Sequence, residues 1–141
     1  MTTITNLINR VIENKKPLIT MDELIGYPKD TLGFHVGNFL FNHSHDADPQ
    51  PEMIDILRVL INKEVSDKEE IAMHFYLFGN GDLRLKNLFV IITGSLLYPL
   101  QLLYFHKRYC DGKNALHFYD LNHFRMLHLP IARIKDTFLI R

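Results

Sequence analysis

The sequence is short of cysteine, of net charge and of any unbroken apolar run that comfortably crosses a bilayer. Each shortage closes off a class of protein. Cys110 is the single cysteine in 141 residues. A lone thiol cannot form an internal disulfide, so the chain stands apart from stapled secreted domains and points to a cytoplasmic setting. Cys110 follows Tyr109 at the end of a predicted helix with no base paired to it, and burial in an apolar contact is expected. Lys plus Arg and Asp plus Glu number 16 each. The basic footprint that nucleic-acid binding leaves is therefore missing. No period repeats and no segment is of low complexity. The opening residues lack the apolar run and small-residue cleavage site of a secretory signal. Few arginines and the presence of Glu13 argue against a mitochondrial presequence.

The longest uncharged stretch, from Leu88 to Phe105, has about the minimum length of a spanning helix. It is interrupted by Gly94, Ser95, Pro99 and Gln101, and its proline invites a break. The stretch predicts two helices meeting near Pro99 and mostly buried in the protein. Lys107 and Arg108 follow it and would suit contact with one leaflet. A crossing is not expected.

What is present is apolar material, 47% hydrophobic and 11% aromatic, enough for a packed core and too much for disorder. A first helix is predicted over about Thr5 to Asn14, with Leu7, Ile8, Val11 and Ile12 on one face and Pro17 as its stop. Thr20 and Glu23 form a capping-box pair opening a short helix that ends at Gly26. Asp30 is expected to cap the next, which carries Leu32, Val36, Phe39 and Leu40 at helical spacing. Asn42 to Pro51 reads as a polar loop. A helix with Glu52 in its first turn follows, through Ile54, Leu57, Leu60 and Ile61. Ser66 and Glu69 form a second capping box, and that helix runs through Ile71, Phe75 and Phe78 to a stop at Gly79-Asn80-Gly81. The apolar pair then ends near Gly112, and Asp120 and Pro130 start two short C-terminal helices. Phe89 to Ile92 would suit a strand in isolation, but no alternation is sustained with hairpin chemistry. One all-α domain of about seven to eight helices is predicted.

Two histidines and an acid, His43, His45 and Asp46, have spacing that can chelate a metal from an extended loop. Their setting in a polar loop makes solvation the plainer reading. His35, His74, His106, His117, His123 and His128 are scattered over different helices. His74 lies one turn beyond Glu70 and shares its face, as a half-buried structural histidine would. No nucleophile elbow, phosphate loop or dinucleotide fingerprint occurs.

The order of several short segments resembles that of the coenzyme Q (ubiquinone) biosynthesis protein four family. Gly26-Tyr27-Pro28 with Thr31-Leu32-Gly33 resembles its opening. Glu70-Ile71-Ala72-Met73, Gly79-Asn80-Gly81, Gly94 and Tyr98-Pro99 resemble its middle. Phe118-Tyr119-Asp120-Leu121 and Leu129-Pro130 resemble its tail. The family's signature is His-Asp-x-x-His, eleven residues, then Glu, implying a divalent metal, usually zinc. Here the same spacing carries Ile54, Asp55, Arg58 and Glu70. The acids are kept, and an isoleucine and an arginine stand where the histidines belong. Isoleucine offers no lone pair, and arginine is a permanent cation that cannot act as a ligand. Loss of the metal is expected, with Arg58 bridging Asp55 and Glu70 in an internal ion cluster.

From the resemblance follow a lipid or isoprenoid-quinone ligand, partners among quinone-biosynthesis enzymes, a homodimer and a peripheral position on the inner face of a membrane. Phe75, Phe78, Phe89, Tyr98, Tyr104 and Phe105 lie on helices that the resemblance assigns to an apolar slot. The expected role is a non-catalytic binder or scaffold without a cofactor. The alternatives are an enzyme decarboxylating or hydroxylating a quinone precursor through an atypical metal site, or a paralogue with an unrelated interaction.

Overall fold

Apolar side chains recurring every three to four residues, punctuated by capping residues, give an all-α fold. The computed structural model describes Ile4 and residues 19–141. The helix expected over Thr5 to Asn14, with Pro17, lies outside the described residues. Among those described, seven α-helices occur: α1 (Met21–Ile25), α2 (Leu32–His43), α3 (Met53–Ile61), α4 (Asp67–Asn80), α5 (Leu85–Leu97), α6 (Leu102–Asn114) and α7 (Ile131–Phe138). Two 3-10 turns, Pro99–Gln101 and His123–Met126, join them.

Caps fix where the helices start. The Thr20 and Ser66 hydroxyls accept from the N–H groups of Glu23 and Glu69, opening α1 and α4, which satisfies a donor that the first turn would leave bare. The α2 cap is Thr31, not Asp30: its hydroxyl accepts from Phe34 N at 3.2 Å and donates to Pro28 O at 2.7 Å. A hydroxyl can do both at once, and an ionised carboxylate cannot. Helix α2 also runs on through Asn42 and His43, two residues into the expected loop. At the C-terminus, Asn122 rather than Asp120 caps the turn that follows, and Asp120 pairs with His117 instead.

The core is built on the crossing of α4 and α6. Gly79 and Gly112 face the opposite helix at the crossing, where an added Cβ would sit 2.1 Å from Tyr109 O and 2.0 Å from Tyr76 O. Only a hydrogen fits at either point, so the two backbones come nearly into contact. Asn80 completes the join. Its Nδ2 donates to Gly112 O and Leu116 O, and its Oδ1 accepts from Phe118 N and Tyr119 N. Expected as part of a helix stop, Asn80 is the buried last residue of α4, and Gly81 with φ 119° makes the turn.

The tail closes the other side. Leu32 N donates to Leu129 O, Gly33 N to Leu127 O and Ile131 N to Asp30 O, so the start of α7 is clipped to the start of α2. The packed interior includes Leu24, Val36, Ile56, Leu60, Met73, Tyr76 and Phe118.

The apolar pair departs from expectation. The stretch does break at Pro99, and α5 and α6 meet at 106°. It is not buried. Leu85, Phe89, Leu96, Leu100 and Leu103 are 70–93% exposed. Helix α5 packs on α4 along one face, through Gly94 against Ile71, and no described element covers its other face. No helix among the described residues is long and apolar enough to cross a membrane.

Candidate functional site

The positions that carry the family-like spacing come together. Arg58, late in α3, projects between Asp55 on its own helix and Glu70 in the first turns of α4. Its Nε and Nη2 donate to Glu70 at 2.8–3.0 Å, and its Nη1 donates to Asp55 Oδ1 at 2.9 Å. A planar fork meeting a carboxylate with two nitrogens is the strong form of this interaction. The side chains of Arg58, Asp55 and Glu70 are 29%, 13% and 34% exposed, so the cluster lies at a half-buried seam. The bond to Glu70 raises the Arg58 pKa, partly opposed by burial.

Asp55 has a second task. Its Oδ2 accepts the Glu52 N–H at 2.9 Å, holding the first turn of α3 while Oδ1 holds Arg58. Ile54 lies alongside, packed against the hydrophobic core. As a metal site this donor set fails. Both carboxylates are committed to a fixed cation, and the remaining position is a hydrocarbon.

Beside the cluster opens a cleft of about 940 Å³, walled by Ile54, Leu57, Arg58, Glu70, His74 and Val90 among others. His74 is half-buried, as expected. Its Nδ1 lies 2.8 Å from Asn87 Oδ1, while Asn87 Nδ2 donates to Asp82 O. Because the Asn87 oxygen can only accept, the histidine proton sits on Nδ1 in the neutral ring. At the rim, Arg84 grips Asp82 with Nε and Nη2 at 2.7–2.8 Å. Burial would raise the Asp82 pKa, but the bonds from Arg84 outweigh it and the net direction is downward.

None of the six aromatics assigned to a slot lines this cleft, although Phe75 and Tyr104 both adjoin Phe105. Phe75 stacks on Phe105 at 5.0 Å between α4 and α6, and Phe78 packs on Tyr109 at 5.6 Å. Tyr104 donates to Glu69, with Lys68 over its ring at 4.3 Å, and burial together with that carboxylate pushes its hydroxyl up to about 12. Tyr98 is half-buried at the Pro99 break, and Phe89 is exposed. The set His43, His45 and Asp46 is not gathered. The His43 ring lies against Phe39 at 4.9 Å, and among the described residues no three His, Cys, Asp or Glu side chains are grouped to hold a metal ion.

Two expectations are corrected here. Cys110 is partly exposed, its Sγ about 4 Å from the His106 ring rather than in an apolar contact. Arg108, expected on the surface beside Lys107, is 1% exposed. Its guanidinium donates to Ile61 O, Arg141 O and Asp111 and lies over Tyr76 at 5.0 Å. Sequence reasoning missed this residue. The signal was its place three residues after Phe105 and four before Gly112, on one helical face whose other two members are buried.

The quoted segments also meet pairwise. Gly33 packs against Tyr27 and Leu127 O, Gly94 against Ile71, and Asn80 binds the Phe118-Tyr119 backbone. No protein-family model matches the chain, and no curated protein is significantly similar to it in sequence.

Proposed function

We propose that this chain is a divergent relative of the coenzyme Q biosynthesis protein four family, acting as a non-catalytic lipid- or isoprenoid-quinone-binding scaffold at the inner face of a membrane. It would work beside quinone-biosynthesis enzymes, as a homodimer. The observation that carries the reading is the Arg58 fork on Glu70 and Asp55. A guanidinium supplies the positive charge between two helices that an ion supplies in the family, and it brings none of an ion's open coordination positions. The scaffold keeps its shape, and the Lewis acid is gone. Lipid association is supported by the apolar side chains that α5 and α6 leave uncovered.

The test is metal analysis of the full chain purified without a histidine tag, joined to native mass spectrometry. Expected are far less than one zinc per chain and a co-purified lipid or isoprenoid adduct. One tightly held divalent ion per chain would overturn the non-catalytic assignment. A chain free of any adduct would remove the lipid-binding part.

A further inference from the structure

The exposed large apolar side chains of the described residues concentrate between Leu83 and Leu103. They have a pattern. Leu85, Phe89, Ile92 and Leu96 stand at i, i+4, i+7 and i+11, one stripe along α5. Across the Pro99 break, Leu100 and Leu103 continue the apolar surface at 93% and 88% exposure. The inward positions of the same helices are different residues, Asn87 and Gly94 on α5 and Phe105 and Arg108 on α6. A concentration of exposed apolar side chains of this kind marks an interaction site.

Charge identifies the partner. From Leu83 to Cys110 the chain contains no Asp or Glu. The exposed Lys and Arg side chains of this segment flank the apolar elbow: Arg84 and Lys86 enter α5, and Lys107 follows on α6, while Arg108 is turned inside. Glu69 is buried and bonded to Tyr104, and Glu64 and Asp67 are flanked in sequence by Lys63 and Lys68. Shape excludes a crossing. Each arm has 13 residues, or about 20 Å of helix against about 30 Å of hydrocarbon, and the arms diverge at 106°.

We infer that the α5–α6 elbow lies in the plane of an anionic lipid leaflet, with Phe89, Leu96, Leu100 and Leu103 in the acyl region and Lys86 and Lys107 among acidic headgroups. The inference rests on the membrane-surface part of the proposal above and is independent of the Arg58 site. Apolar burial supplies the anchoring and the lysines select the lipid.

The experiment is co-sedimentation of the full chain with phosphatidylcholine vesicles containing or lacking about a third phosphatidylglycerol. Binding is expected on the anionic vesicles, weaker by about thirtyfold or more with Lys86→Glu and Lys107→Glu together. It should be lost in a Leu96→Ser, Leu100→Ser, Leu103→Ser variant whose helical circular dichroism and Tm match the parent. The chain has no tryptophan, so Leu100→Trp gives a single reporter. Its emission should shift to the blue on anionic vesicles and be quenched by brominated acyl chains, whereas Phe41→Trp on α2 should do neither. Binding that survives the triple serine change would overturn the elbow while sparing the membrane reading, and absence of binding to any vesicle would sink both. A solution dimer dissociated by that triple change, without vesicle binding, would make the elbow a self-interface and overturn the inference too.

Discussion

Leu100 and Arg108 sit eight positions apart on one bent segment and have exchanged the places that hydrophobicity assigns. The leucine is 93% exposed and the arginine 1%. Where α6 crosses α4, both ends of the Asn80 amide have partners and both terminal nitrogens of Arg108 donate to oxygens, which offsets the cost of burying them. At the elbow nothing described lies over the helices, and apolar side chains are left outside. The contrast shows that placement follows available partners. A cation is tolerated inside when carbonyls and a ring enclose it, and a leucine is left outside where no helix among the described residues lies over it.

Removing the buried cation should give the largest effect. Arg108→Ala strips partners from Ile61 O, Arg141 O and Asp111, and is expected to lower unfolding free energy by about 3–5 kcal/mol, measured by urea denaturation. Asn80→Ala leaves two carbonyls and two N–H groups unpaired and should cost about 3 kcal/mol. Asp at this position should not rescue it, because a carboxylate offers nothing to the carbonyls of Gly112 and Leu116.

His123 probes the same interior through pH. Its ring is fully buried against Phe118, and burial lowers its pKa. The unfolded chain binds the proton near pH 6.5 while the fold refuses it. Stability is therefore fully present above that pH and falls as pH drops below it, toward the depressed folded value. The slope should stay under about 1.4 kcal/mol per pH unit, and His123→Leu should remove this component in melts run from pH 7 to 5.

The seam between α3 and α4 responds less. Arg58→Ala breaks a cluster that is about a third exposed, so roughly 1 kcal/mol is expected, with the same loss in an Arg58→Ala, Glu70→Gln double variant if the pair acts as a unit. Leu100→Ser should shift stability by under about 0.5 kcal/mol in the absence of lipid. A larger loss would mean that Leu100 is covered in solution, and the contrast with Arg108 would fail.

The helices were legible because their signals are local. Thr20 with Glu23, and Ser66 with Glu69, announce helix starts within four residues, and Pro99 announces the break. The bridge of Arg58 to Glu70 was legible only through the family resemblance, which set a cation between two acids at those positions. What escaped was decided by distant partners. Asn80 between two glycines has the composition of a turn, and only residues 32 to 39 positions further on reveal it as a hub. Asp30 lost the α2 cap to Thr31, whose hydroxyl accepts from Phe34 N while donating to Pro28 O. The apolar elbow predicted its own burial, since a run of leucines carries no record of how many helices lie beside it. The half-buried His74 was legible from its face, whereas the Asn87 that orients it, on another helix, was not.

The four bonds of Asn80 also impose an order of assembly. Its side chain is made with α4, yet its acceptors and donors are Gly112, Leu116, Phe118 and Tyr119. During synthesis that amide must wait, hydrated, until the chain has grown past Tyr119. The late-made tail then seals the early-made helix, and a chain cut short before that point would leave the α4 terminus open to proteases.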